Sequence, residues 1–433
     1  MKKLRFYAFE KKKKYFYIGI ICGVMLLTLL IFNTSRAKYR TTQSIELARG
    51  TINYTVPDLN LVSMYIEDNG EYKASDTVPS NGYKLNQDKS YCAVNGNKDS
   101  SITFGYENKL INVYGLGKKG TQCYLYFDSY QCNVLSCESI LANINTIKTR
   151  NDFSIALTDA TSGVIYKSLD STQYDDYGAT YYFAGAPTDN WVKFGGYYWR
   201  IIRINGDGTI RMIYNGPTTD QTGETTQIGE SAFASALAND NMYVGFQYTN
   251  GEVHGRGANS AVKEALDNWY SSNLSGYTSY IATGEGATFC NDRQPSTNDS
   301  SLNNTGGTGK TLTYYAPHLR LDVYKNPIFN CVDINDRIDT PIGLITVDEM
   351  AYAGGVNQIN NLNYYLYNNK TYWSMSPCIF DIYGYALVFH MALRGAIDAP
   401  YAHGANGVRP VINLRKDIQF TGLGTALDPY VVT

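Results

Sequence analysis

Between residues 49 and 129 apolar and polar positions alternate in short runs, TINYTV, LVSMYIE, SITFGY, LINVYGL and QCYLYF, separated by PDLN, DNGE, PSNG and GKKG. A period of two sends alternate side chains to opposite faces of a strand, so this stretch predicts a small β-domain over 49–129. The pattern then changes. In CESILANINTIKTRNDFS (137–154), Ile140, Leu141, Ile144 and Ile147 recur at helical spacing with Ser139 placed to cap, which predicts a short helix in a connector over 130–154. Farther on, YYWRIIRI and TIRMIYNG read as two strands joined through NGDG, where Asn205, Gly206 and Gly208 are expected to supply the positive φ of a tight hairpin. Apolar residues on both faces of that hairpin place it between layers, with Trp199 packed inward. SAVKEALDNWYSSNL (260–274) carries Val262, Ala265, Leu266 and Trp269 on one helical stripe, and TVDEMAYAGG (346–355) predicts a helix ended by Gly354 and Gly355.

The longest apolar run lies near the start of the chain. YFYIGIICGVMLLTLLIF, Tyr15 to Phe32, has no charge and as a helix measures about 27 Å, close to the roughly 30 Å hydrocarbon core of a bilayer. It predicts a transmembrane helix over 15–33, after a basic tail (1–14) and before a juxtamembrane segment (34–48). Seven basic residues precede the run, so the positive-inside rule puts the N-terminus in the cytoplasm and the rest of a single-pass plasma-membrane protein outside the cell. A cleaved signal peptide ending near SRA (35–37) is the alternative.

Seven of the 37 Lys and Arg residues and one of the 39 Asp and Glu residues fall in the first fourteen positions, leaving the remainder at a formal charge of −8. Such a surface repels phosphate backbones and argues against a nucleic-acid partner. With only 18% charged residues and 39 tyrosines, the composition suits an exported protein. Seven cysteines follow the apolar run, and an oxidising compartment favours pairing Cys92 with Cys123, Cys132 with Cys137 and Cys290 with Cys331, which leaves Cys378 over.

Four ordered segments, VKFGGYYWRIIRINGDGTIRMIY (192–214), PIGLITVDEMAYAGG (341–355), TYWSMSPCIF (371–380) and NGVRPVINL (406–414), together resemble an uncharacterised domain family of surface proteins in Gram-positive bacteria. That family is similar to the C-type-lectin-like fold shared with sulfatase-modifying factors. The resemblance implies a C-type-lectin-like mixed domain over 155–433. The strand pattern of 49–129 is comparable to immunoglobulin-like β-sandwiches, although no Trp stands between Cys92 and Cys123 as in a true immunoglobulin domain, and the chain as a whole is expected to be α+β. The resemblance implies no reaction.

Direct signs of catalysis are few. His254, His318, His390 and His403 show no metal-ligand spacing, no GxSxG elbow occurs, and GGTGKT (306–311) lacks the spacing and the leading strand of a phosphate loop. No cofactor is expected. The segment SPCIFDIYGYALVFHMALRGAIDAPYAHGANG, read as an irregular loop, offers Asp381, Tyr383, Tyr385, Arg394, Tyr401, His403 and Asn406 as a ligand-binding set, with aromatic faces to stack and polar groups to orient. The expected function is adhesion or binding of an extracellular glycan or protein. The alternatives are an extracellular enzyme working through Cys378 and a structural envelope component.

Overall fold

The computed structural model describes residues 43–45, 59–68, 71–79, 83–107, 110–115, 120–129, 134–234, 237–284, 286–296 and 306–433. Among the described residues strand accounts for 35% and helix for 14%, which corrects the expected α+β class to a β-rich one. Among the described residues no helix is long and apolar enough to cross a membrane. The expected single-pass plasma-membrane placement is corrected on that finding. The segment Tyr15 to Phe32, on which it rested, lies outside the described residues, as do the tail 1–14 and Cys132.

Two compact units follow one another, Met1–Ser129 and Tyr130–Thr433. In the first, the strand Thr121–Ser129 runs parallel to Leu59–Asp68 on one side and antiparallel to Tyr83–Asn86 and Tyr91–Val94 on the other. A second, antiparallel sheet joins Gln43–Ile45, Leu110–Tyr114 and Thr103–Glu107. Alternation explains the packing. Cys123, Leu125 and Phe127 face one core with Met64, Leu85, Cys92, Phe104, Ile111 and Val113, while Tyr124 and Tyr126 stand on the opposite face, against Tyr91 and Tyr65. The Cys92–Cys123 disulfide links two directly paired strands inside this core.

The second unit is built on the hairpin Tyr197–Ile204 and Ile210–Tyr214, extended by Val411–Leu414 on one edge and by Trp191–Phe194 and Tyr181–Tyr182 on the other. Every residue of Ile210–Tyr214 and Val411–Leu414 is buried, so this sheet is covered on both faces. Trp199 is fully buried. In the NGDG turn only Gly208 takes positive φ. Gly206 serves differently: a Cβ there would stand 2.5 Å from the Gly178 backbone nitrogen, a close approach that only glycine permits.

A second sheet orders Glu230–Ala232, Ala405–Gly407, Tyr372–Phe380, Ala386–Met391 and Ile397–Asp398. Two helices cover the core. Ala261–Asn273 starts at Ser260, whose side chain accepts from the Lys263 N–H, and it buries Val262 and Leu266. Val347–Tyr352 opens with a complete capping box between Thr346 and Glu349. The connector departs from expectation. Its helix is only Leu135–Leu141, Ser139 lies within it and not at its cap, and Ile147 belongs to the strand Thr146–Lys148.

Candidate functional site

The segment expected as an irregular loop is a hairpin, Tyr372–Phe380 with Ala386–Met391, closing at Phe380↔Ala386. Asp381 shapes the turn: its Oδ1 accepts from the N–H groups of Tyr383 and Tyr385, each at 3.0 Å. A bridge between Leu387 and Tyr401 then brings the following segment alongside. The result is a ridge of rings, Tyr401 and His403 exposed and Tyr385 half-buried, with Tyr385 5.3 Å from Tyr401 and 5.6 Å from His403, and Tyr401 stacked on His403 at 5.6 Å. A little burial, the Asp381 charge and a hydrogen bond to that carboxylate hold the Tyr401 hydroxyl above its ordinary pKa. Tyr383 projects from the turn, 73% exposed.

Two expected members lie elsewhere. Arg394 sits in the turn at the other end of Ala386–Met391, roughly 20 Å from Asp381 at strand rise, and its Nη2 donates to Gln358 (2.7 Å) and Asp398 (3.0 Å). Asn406 is buried, its Oδ1 3.2 Å from His390 Nδ1. Burial holds His390 below the ordinary imidazole value of 6.5. The unfolded chain then takes up the proton first, so the stability gained by burying a neutral His390 is present above about pH 6.5 and is lost as the pH falls. Melting temperature between pH 7.5 and 5.5 is expected to drop more in the wild type than in His390→Gln. Equal drops would remove His390 as a cause.

A second constellation, not anticipated from sequence, lies in a cleft of about 440 Å³, counting its open mouth, lined by Asp175, Asp176, Tyr177, Arg203, Arg211, Thr288, Phe329 and Glu349 among others. Glu349 is its hub. Oε1 accepts from Arg203 Nε at 2.9 Å and lies 2.5 Å from Arg211 Nε in an ion pair not aligned as a hydrogen bond, while Oε2 accepts from the Thr346 N–H. Burial alone would raise the Glu349 pKa, but Arg211 and Arg203 outweigh it and hold the carboxyl below its ordinary value. Arg203 also reaches Asp175 at 3.1 Å, and Arg337 reaches Asp176 at 2.7 Å. Burial pulls Arg211 down to about 10, so it stays protonated at neutral pH. The Cys290–Cys331 disulfide lines the same cleft.

No protein-family model, curated protein or solved structure matches this chain. The lectin-like and immunoglobulin-like labels therefore find no support beyond the sequence segments that suggested them.

The residues of the cleft carried a signal in the sequence. Arg200, Arg203 and Arg211 interrupt strands that otherwise show no polar face, and all three are buried against partners: Arg200 on the Trp191 ring, Arg203 and Arg211 on Glu349. Cys378 offers less chemistry than its isolation suggested. The thiol is buried, 3.8 Å from His318 Nδ1, and burial drives it well above its ordinary pKa while lowering that of His318. Both groups stay neutral, so the pair lacks the thiolate a nucleophile requires. Cys137 is disulfide-bonded. Among the described residues no three His, Cys, Asp or Glu side chains gather as a metal site.

Proposed function

We propose that the unit Tyr130–Thr433 is an adhesion or ligand-binding module that holds a glycan on the ridge formed by Tyr385, Tyr401 and His403, with Asp381 orienting sugar hydroxyls. The observation that carries this reading is the convergence of three rings within 5.6 Å of one another, Tyr401 and His403 exposed and Tyr385 half-buried, beside a carboxylate. Ring faces and edges supply area for the C–H faces of a sugar at low entropic cost, and the carboxylate supplies acceptors for its hydroxyl groups. The disulfides Cys92–Cys123 and Cys290–Cys331 suit the oxidising compartment in which such ligands are met.

A glycan array probed with the full chain tests the proposal. Retained glycans are expected to bind Tyr401→Ala and Asp381→Asn about tenfold more weakly. Tyr401 is 40% exposed, so its loss leaves the fold intact. An array with no retained glycan, or equal binding by both variants, would sink the proposal.

A further inference from the structure

We propose that the sugar held on the ridge of Tyr385, Tyr401 and His403 is an amino sugar whose amine is free and protonated, with the ammonium seated between the Asp381 carboxylate and the tyrosine rings. This rests on the ridge being a glycan site and names the class of glycan it takes.

Among the described residues Asp381 has no counter-charge. The ion pairs nearest to it in sequence join Arg394 to Asp398 and Arg415 to Asp417, and none reaches Asp381. Its Oδ1 accepts from the N–H groups of Tyr383 and Tyr385, and the Tyr401 hydroxyl donates to the same carboxylate. All three donors are neutral. A carboxylate has about four lone-pair sites, so these bonds leave one for a ligand, on a residue that is only half-buried.

The rings add to the same demand. A tyrosine face attracts a cation through its quadrupole, and this chain uses that attraction elsewhere. The Lys89 ammonium lies 4.2 Å from the centre of the Tyr72 ring, and that of Lys98 lies 4.5 Å from the centre of Tyr91. Among the described residues no Lys or Arg lies over Tyr383, Tyr385 or Tyr401. A ligand ammonium answers both the carboxylate and the rings, while the C–H face of its sugar covers the exposed surface of Tyr401 and Tyr383. A uronic or sialic acid would set its own carboxylate against Asp381, and N-acetylation removes the charge that carboxylate and rings attract.

Calorimetric titration of the full chain with hexamers of glucosamine, N-acetylglucosamine and glucose at about pH 6.5, below the ordinary range of an amino group, tests the class. The glucosamine hexamer is expected to bind about tenfold more tightly than either of the others, and to lose that advantage as salt is raised from about 0.05 to about 0.5 M. Asp381→Asn, whose amide oxygen can still accept from the turn N–H groups, is expected to abolish the advantage. Tyr383 is 73% exposed, so Tyr383→Ala keeps the test open if Asp381→Asn does not fold, with an expected loss of about threefold. Equal binding of the three hexamers, weakened alike by Tyr401→Ala, would overturn the amino-sugar assignment and leave the glycan reading standing. Silence from all three overturns the assignment too, and the glycan array decides separately whether the ridge holds another sugar. An advantage undiminished in both variants would place the ammonium elsewhere. Hexalysine binding as tightly as the glucosamine hexamer, and as dependent on Asp381, would reassign the ridge to protein side chains. Either result overturns the proposal.

Discussion

Glu349→Ala is expected to lower the unfolding free energy of the unit Tyr130–Thr433 by about 3–5 kcal/mol, the range for removing one partner of a buried ion pair. The size follows from what is left behind. Arg203 and Arg211 would both remain inside, with side chains 9% and 2% exposed, having lost the oxygen they share. The first turn of Val347–Tyr352 would also lose the half of its capping box that satisfies the Thr346 N–H. Glu349→Gln separates the two effects, since its amide oxygen can still accept from Thr346 but carries no charge, and its loss should fall between wild type and alanine. The folded carboxyl titrates below its unfolded value of 4.5, so the Glu349 contribution is present above that pH and disappears as the pH drops through the folded value. Urea unfolding of the three proteins at pH 7 measures the ordering. A loss below about 1 kcal/mol in the alanine variant would show that the hub is not a structural keystone.

Trp199→Ala should cost a comparable amount, about 3–5 kcal/mol, by a different route. Trp199 is fully buried, donates its indole N–H to the Phe194 carbonyl at 3.0 Å, and meets Tyr214 and Trp269 edge-on at 5.5 and 6.4 Å. It sits where Tyr197–Ile204 pairs with both neighbours, opposite Val192 on one side and Tyr214 on the other. Truncation opens a void the covered sheet cannot collapse into, because both of its faces are packed. Trp199→Phe retains part of the volume and should lose clearly less. If the alanine and phenylalanine variants unfolded at the same urea concentration, the lost hydrogen bond and not the void would set the cost.

The features legible in the sequence were those written into one short stretch of chain. The alternation in QCYLYF put Cys123, Leu125 and Phe127 inward, the spacing of Val262 and Leu266 marked a helix, and the doubly apolar hairpin buried Trp199. The α+β class followed from the lectin-like resemblance, and the described residues carry 35% strand against 14% helix. In the connector, the helical spacing of Ile140, Leu141, Ile144 and Ile147 runs past the helix end at Leu141 through a turn into the strand Thr146–Lys148. The cleft escaped for another reason. Asp175, Arg203, Glu349 and Phe329 come from segments as far as 174 positions apart, and only the folded chain brings their charges together. In the 376–406 stretch residue types were read without their partners, so Arg394 and Asn406 were grouped with a ridge they do not join.

Along one edge of the buried sheet, Val192 and Lys193 pair in parallel with Tyr430 and Val431. During synthesis those two segments leave the ribosome more than two hundred residues apart. Until position 430 emerges, Trp191–Phe194 presents unmatched N–H and C=O groups on a long apolar strand system, the kind of edge to which other chains add. A nascent chain must therefore wait for the strand Tyr430–Val432 before this edge is sealed, and a ribosome that stalls short of it leaves a template for aggregation.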